Sequence, residues 1–446
     1  MSTSDAEAIS HRRVLTIAIP IVISNATVPI LGAVDTGVVG QLGTAAPIGA
    51  VGLGAIILSS LFWIFGFLRM ATTGLAAQAV GQADEIENRA ILLRALAIGF
   101  GAGLLLILLQ SPLFAVAFWA APASAEVETL TREYVSIRMW SAPAAIAIYG
   151  ITGWLIAKER TGAVLALQLM VNGVNVGLDF WFVLGLGWGV AGVAYGSLIA
   201  EWSGLILALW LCRGALTSVS QGLMQRVIDP IQIRRMGGVS TDILIRSLLL
   251  QVIFVSFLFF GAGLGDVTLA ANQVLMQFVT ITAYSLDGFA FSAEALVGQA
   301  VGARKVAHLR RASILSSLWA GGLMVLLAVV FVIFGTAFID LLTTSEPVRA
   351  EAKNYLVWMI LMPLVGIGPF MLDGIFIGAT RTRDMRDMMA LSTVIYGVAL
   401  LCLLPLFANH GLWAAMLISF IARGVTLGMR YGRLEAGVRD QSPVPG

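Results

Sequence analysis

Runs of about 20 or more predominantly apolar residues recur from one end of this sequence to the other, each long enough to cross the roughly 30 Å hydrocarbon core of a bilayer as an α-helix. In lipid a spanning segment must satisfy its own backbone N–H and C=O groups, which helices do and isolated strands do not. Composition agrees: 59% of the 446 residues are hydrophobic, 12% are charged and the mean hydropathy is +0.92, outside the range of ordinary soluble domains. The chain is therefore read as an all-α integral membrane protein. Twelve spans are expected, at roughly 14–40, 45–80, 90–118, 127–157, 162–186, 190–212, 239–262, 268–300, 307–335, 347–379, 387–408 and 411–430. The run after His11-Arg12-Arg13 is too long for the core of a signal peptide and is interrupted by Asn25, so it stays as the first span.

Charge sets the orientation. Of the 27 Lys and Arg residues, Arg132, Arg349 and Lys353 fall on the side opposite the N-terminus, Arg69, Arg138, Arg246 and Arg423 fall inside spans, and the rest lie on the side of the N-terminus. The positive-inside rule then places both termini in the cytoplasm. The basic residues are scattered over short loops at a formal net charge of +2, so nucleic acid is not an expected partner. Cys212 and Cys402, far apart and apolar in setting, give no disulfide or metal framework.

The longest polar connection, Arg213 to Gly238, falls near the middle and separates two halves that repeat with a shift of 221 or 222 residues. Gln78-Ala79-Val80-Gly81 meets Gln299-Ala300-Val301-Gly302, Leu42-Gly43 meets Leu264-Gly265, Gly153 and Arg160-Thr161 meet Gly374 and Arg381-Thr382, and Gly189 meets Gly411. Six spans separate equivalent points, so the repeats are parallel, related by an axis along the membrane normal. The expected organisation is an N-lobe at 1–213, a cytoplasmic linker at 214–238 and a C-lobe at 239–446, a transporter plan with the substrate site expected between the halves.

Carboxylates inside spans are costly and mark functional sites. Asp35, Asp179, Glu201, Asp287, Glu294 and Asp373 are in that position. At about 1.5 Å per residue Asp35 lies roughly 30 Å up span 1 and Asp179 roughly 26 Å up span 5, similar heights that allow a shared pocket. Asn172, Asn175 and Asp179, spaced i, i+3, i+7, share one helix face. Two acids in one desolvated pocket cannot both ionise cheaply, and no Arg or Lys is expected at that depth, so the pair reads as a proton site or as a sodium site of carboxylate and amide oxygens. Glu201 and Arg138 lie at equal depth and read as a structural ion pair. Glu294 and Asp373 lie close to Arg246 in depth, as C-lobe acids for ion pairing or substrate contact. Gln273, Gln277, Thr280, Tyr284, Asp287 and Glu294 form a polar stripe on span 8 expected to line a cavity, with Asn172 and Tyr149 as further cavity residues. Asp35 maps onto Ser256 or Phe257 and Asp179 onto Leu401 or Cys402, so neither acid is duplicated.

No metal-ligand cluster, phosphate loop or nucleophile-and-base arrangement appears, and His11, His308 and His410 lie in loops. An enzyme is not expected, and the energy would come from an ion gradient. A cavity with aromatic walls and few acids suits bulky apolar cations.

VDTGVVGQLG at 34–43, GFLRMATTGLAAQAVGQ at 66–82, LDGIFIGATRTRDMR at 372–386 and the six-plus-six repeat resemble the multidrug and toxic compound extrusion transporters, in particular the branch named for DNA-damage-inducible protein F. The resemblance covers essentially the whole chain. It implies two pseudo-symmetric six-helix lobes in a V shape and outward antiport of drugs, organic cations or other amphipathic compounds against H⁺ or Na⁺. By resemblance Asp35, Asn175 and Asp179 are cation-coupling residues, Tyr134 and Ser197 stand near a tyrosine and a hydroxyl of that site, Pro20 is the proline where span 1 bends, and Asp373 matches an acid of the sodium-coupled branch. That branch also needs a glutamate in span 7, where this sequence has Leu248 and Gln251. The expected protein is a proton-coupled antiporter of a bacterial inner membrane that exports such small molecules, monomeric, with no cofactor beyond the coupling ion. The competing expectations are a lipid-linked-precursor flippase, which would want more cationic groups in its cavity, and an integral-membrane enzyme.

Overall fold

In the computed structural model of the protein, residues 9–41, 44–121, 123–217 and 221–439 are described. Among them every regular element is helical. The long helices are α1 (His11–Gly40), α2 (Ala45–Gly81), α3 (Glu85–Leu108), α4 (Ala125–Ala157), α5 (Thr161–Gly185), α6 (Gly189–Leu211), α7 (Pro230–Ala262), α8 (Asp266–Gly302), α9 (Val306–Leu342), α10 (Leu356–Gly378) and α11 (Thr382–Gly428), followed by the short amphipathic α12 (Tyr431–Arg439). Eleven helices among the described residues are long and apolar enough to cross a membrane. The last contains two of the expected spans, because the backbone leaves the helical region at Ala408 (φ 47°, ψ −126°), just after Pro405. Prolines inside spans need not end them: α1 continues through Pro20 and Pro29.

Part of the expected polar linker is helical, with short helices at Arg213–Leu216 and Gln221–Val227 and α7 starting at Pro230, where a missing N–H is harmless. Arg94 anchors this segment: its guanidinium pairs with Glu87 at 2.9 Å and donates to Arg226 O (2.6 Å) and Val227 O (3.1 Å).

The repeat is visible in the backbone. Residues in the left-handed region recur in pairs 221 apart: Ala83 with Arg304, Glu159 with Thr380, and Gly187 with Ala408. The repeated glycines have a packing reason. A Cβ at Gly153 would collide with Arg69 O, and one at Gly374 with Ala290 O, the same contact in each repeat; Gly81 is pressed against Gln299 O and Gly302 against Gln78 O. Of the repeated motifs, Leu42-Gly43 lies outside the described residues. The spacing of 221 makes Ser256 the counterpart of Asp35 and Leu400 that of Asp179, which corrects the expectation of Leu401 or Cys402.

Packing gathers the chain into two compact units: residues up to Val22, 77–83 and from Gly237 onward form one, and 23–76 with 84–236 form the other. Helix α1 thus changes unit between Val22 and Ile23, just after Pro20. The first unit has an aromatic core in which Phe278 meets Phe331 edge-on at 4.8 Å and Phe257 meets Trp413 at 4.5 Å. The second closes α3 on α4 through small residues, Gly99 against Ala147 and Gly103 against Pro143.

Candidate functional site

Asn172, Asn175 and Asp179 form one buried face of α5, as their spacing requires, and that face meets α1. Asn172 Nδ2 donates to Thr27 Oγ1 at 2.9 Å and its Oδ1 accepts from Gln168 Nε2 at 2.8 Å. One turn on, the Asn175 amide is oriented by its neighbours. The ionised Asp35 carboxylate can only accept, so the amide nitrogen faces Asp35 Oδ1 at 3.1 Å, and the amide oxygen accepts from Ser197 Oγ at 2.8 Å and Ser197 N at 3.3 Å. Asp179 follows on the same face, its carboxyl within hydrogen-bonding reach of the Asp35 carboxyl.

Asp179 is 0% exposed, and among the described residues neither of its oxygens accepts a hydrogen bond from a donor. A buried carboxyl without a donor is unusual, since most such groups are satisfied. The backbone explains why the side chain sits there. Immediately after Asp179 the helix widens into a π-type turn, Phe180–Gly185, in which Leu186 N reaches Trp181 O at 2.9 Å, and left-handed Gly187 and Gly189 close it. Such turns recur at functional sites. On α6, Gly196 faces the carboxyl, and a Cβ there would collide with Asp179 Oδ1. Neither the widened turn nor Gly196 was singled out in the sequence, although Gly185-Leu186-Gly187-Trp188-Gly189 and the neighbour of Ser197 were the available signals.

Charge approaches this pocket from α4. Arg138 pairs with Glu201 at 2.9 Å, the expected ion pair, and donates to Ser141 Oγ at 3.2 Å. It also meets the Tyr134 hydroxyl and lies within electrostatic range of Asp35 and Asp179, so the expectation of no cation at that depth is corrected. Depth counting placed Arg138 along its own helix but could not show which way it points. Tyr134 is buried, its ring against Gly54. Tyr149, further along α4, lies near Glu201 and Arg69.

In the other unit, Asp373 on α10 is held by Arg246 on α7 and by Arg423 on α11, the latter at 3.7 Å. The pairing with Arg246 follows the expectation from depth; Arg423 was missed. Its guanidinium lies beside the stacked rings of Phe370 (5.5 Å) and Phe420 (5.1 Å). Glu294 on α8 is buried, 1% exposed. Gln273, Gln277, Thr280, Tyr284 and Asp287 lie on the exposed to half-buried side of α8, opposite its buried Leu275, Phe278, Thr282 and Leu286. Gln273 borders a cavity of about 220 Å³ with Gln251, Phe254 and Met276. Among the described residues no group of three or more His, Cys, Asp or Glu could hold a metal ion.

Comparison with known proteins bears on this arrangement. The family model described as MatE matches residues 20–181 and again 243–403, once in each repeat. The chain is 38% identical over 426 residues to DNA damage-inducible protein F of Escherichia coli (strain K12), spanning 95% of this chain and 92% of that one. It is 25% identical to the probable multidrug resistance protein NorM of Synechocystis sp., over 95% of this chain and 94% of that one. In fold it is similar to the Vibrio cholerae MATE transporter VcmN in its bent form, with a TM-score of 0.85 at 19% identity, covering 96% and 97% of the two chains.

Proposed function

Because the chain belongs to the MatE family of membrane transporters, which are not enzymes, we propose that it is a secondary antiporter that exports drugs, organic cations or other amphipathic compounds in exchange for protons taken up at Asp35 and Asp179. The observation that carries this reading is the pair of adjoining carboxyls of which one, Asp179, is wholly buried and has no hydrogen-bond donor among the described residues. Two carboxyls in contact are one proton short of a hydrogen bond. A proton arriving there supplies the missing donor, and its departure restores charge repulsion in a low-dielectric site.

Asn175, fixed by Ser197, reports the charge of Asp35 to α6, and Asn172 ties the same face to Thr27. Protonation releases Asp35 from Asn175, and α1 bends at Pro20, just before the helix changes compact unit. Sodium is the alternative coupling ion, with carboxylate and amide oxygens as its ligands. Asp373 is disfavoured as a cation site because two arginines already neutralise it. The same pairings weigh against a pyrophosphate-lipid flippase, since Arg138, Arg246 and Arg423 are all engaged by acids.

The proposal extends to a monomer of two lobes, 1–213 and 239–446, joined by 214–238, in a bacterial inner membrane with both termini cytoplasmic. Efflux of a fluorescent cation panel from proteoliposomes, with the pH and sodium gradients collapsed separately, tests the coupling. Asp35→Asn is expected to abolish gradient-driven efflux, and full efflux by that variant would refute the mechanism.

A further inference from the structure

Residues 221 apart occupy equivalent places in the two repeats, and at one such place the repeats differ in what they hold. Arg89 and Arg160 of the first repeat correspond to Arg310 and Arg381 of the second, and Gly214 corresponds to Glu435. In the second repeat Arg310 grips Glu435 with two parallel bonds, Nε to Oε1 and Nη2 to Oε2, both 2.7 Å. Arg381 Nη2 donates to Arg433 O at 3.3 Å, and in the first repeat Arg160 Nη1 donates to Leu211 O at 2.9 Å, so in both repeats this arginine is held by a backbone carbonyl at or just beyond the end of the sixth span of its half, the two acceptors being one residue out of register. Arg89, however, has no hydrogen bond or ion pair among the described residues. Gly214 stands where the carboxylate would be, with nothing within 4 Å of where its Cβ would lie.

The place is open. A cavity of about 190 Å³ is lined there by Arg89, Lys158, Arg160, Gly214 and a single acid, Glu85, which Lys158 holds at 3.3 Å. Three basic groups face one acid. Beside it Trp210 is 56% exposed with the Arg213 guanidinium 4.1 Å above its ring, the aromatic and basic combination of a membrane interface. A half-buried guanidinium with its planar fork unused matches an oxyanion in geometry as well as charge.

We propose that this cavity at the ends of α3, α4 and α6 binds a phosphate oxyanion, with Arg89 gripping from outside the chain the partner that Glu435 supplies from within it to Arg310. Two sources share that chemistry, the headgroup of an anionic phospholipid and free phosphate. The cavity lies on the side of the N-terminus, where positive loops meet an anionic leaflet.

The test uses the full-length protein in mild detergent, with native mass spectrometry against phosphatidylglycerol and phosphatidylcholine and thermal unfolding with inorganic phosphate at fixed ionic strength. Wild type is expected to retain phosphatidylglycerol over phosphatidylcholine, and Arg89→Gln to weaken that preference by about tenfold, the effect of one charge-assisted contact. Gly214→Glu installs the carboxylate of the second repeat, so it is expected to remove the preference while melting no lower than wild type. That second variant separates ligand loss from misfolding. Stabilisation by inorganic phosphate that both variants lose, without lipid selectivity, assigns the site to free phosphate. Identical lipid selectivity and phosphate response in wild type and both variants, or neither response in wild type, overturns the proposal.

Discussion

The same contact between helices occurs twice in this molecule with different chemistry. In the first repeat Asn175 of α5 reaches Asp35 of α1 at 3.1 Å; 221 residues later Ser256 of α7 meets the Tyr396 hydroxyl of α11 at 3.0 Å. Ser256 and Tyr396 are neutral and find a further acceptor in Ile253 O. The first repeat has instead an amide and a titratable acid, and beside them Asp179 stands where the second repeat has buried Leu400. The geometry of the contact is therefore a property of the repeat, and its charge belongs to the first copy. The acids also differ in company: Asp373 is clamped by two arginines, whereas Asp179 has no hydrogen-bond donor among the described residues. A clamped acid holds structure, and an unclamped one can exchange a proton.

The largest effect should come from breaking the clamp. Arg246→Met leaves Asp373 buried with Arg423 as its remaining cation at 3.7 Å, and is expected to lower stability by about 3–5 kcal/mol in thermal or denaturant unfolding. Asp179→Asn removes a charge that has no donor among the described residues, and should leave stability unchanged or slightly higher. Equal destabilisation by the two substitutions would erase the distinction between a structural and a functional acid.

Transport reverses the order. Asp179→Asn is expected to reduce pH-driven efflux by at least about 100-fold, equivalent to about 2.7 kcal/mol. Ser256→Ala, at the counterpart of Asp35, should stay within about twofold of wild type. A large loss with Ser256→Ala would mean that coupling is spread over both repeats.

A smaller loss, about tenfold in efflux, is expected for Gly196→Ala, because the new Cβ would displace the Asp179 carboxyl from its seat. Gly162→Ala, which has open space around its Cβ position, should transport normally. Normal transport by both would show that the seat of Asp179 is not critical.

Much of this was legible before the structure because membrane helices are long and regular. Height along a span gave the Arg138–Glu201 and Arg246–Asp373 pairs, and helical spacing put Asn172, Asn175 and Asp179 on one face. Height does not give direction around the helix. Arg423, about three turns into a different span, therefore went unseen as the second partner of Asp373, and so did the reach of Arg138 toward Asp35. The widened turn after Asp179 was hidden for another reason: a change from i→i+4 to i→i+5 bonding is decided by packing around Phe180–Gly185 and leaves apolar periodicity almost unaltered. The glycines that matter to a neighbour, such as Gly196, look in sequence like the many that do not.

The smallest expected effect tests whether the face of α5 acts as one unit. Asn172 bridges to Thr27 of α1, whereas its counterpart Thr393 donates to Met389 O of its own helix. Asn172→Ala should lower stability by about 1 kcal/mol, the ordinary worth of a hydrogen bond, and Thr393→Ala by less. If Asn172 also helps to fix α1 opposite Asp179, the variant will shift the pH dependence of efflux as well as the melting temperature, whereas a purely structural bridge changes the second alone. An unchanged pH profile would confine the coupling machinery to Asp35, Asn175 and Asp179 and leave Asn172 as a tie between two helices.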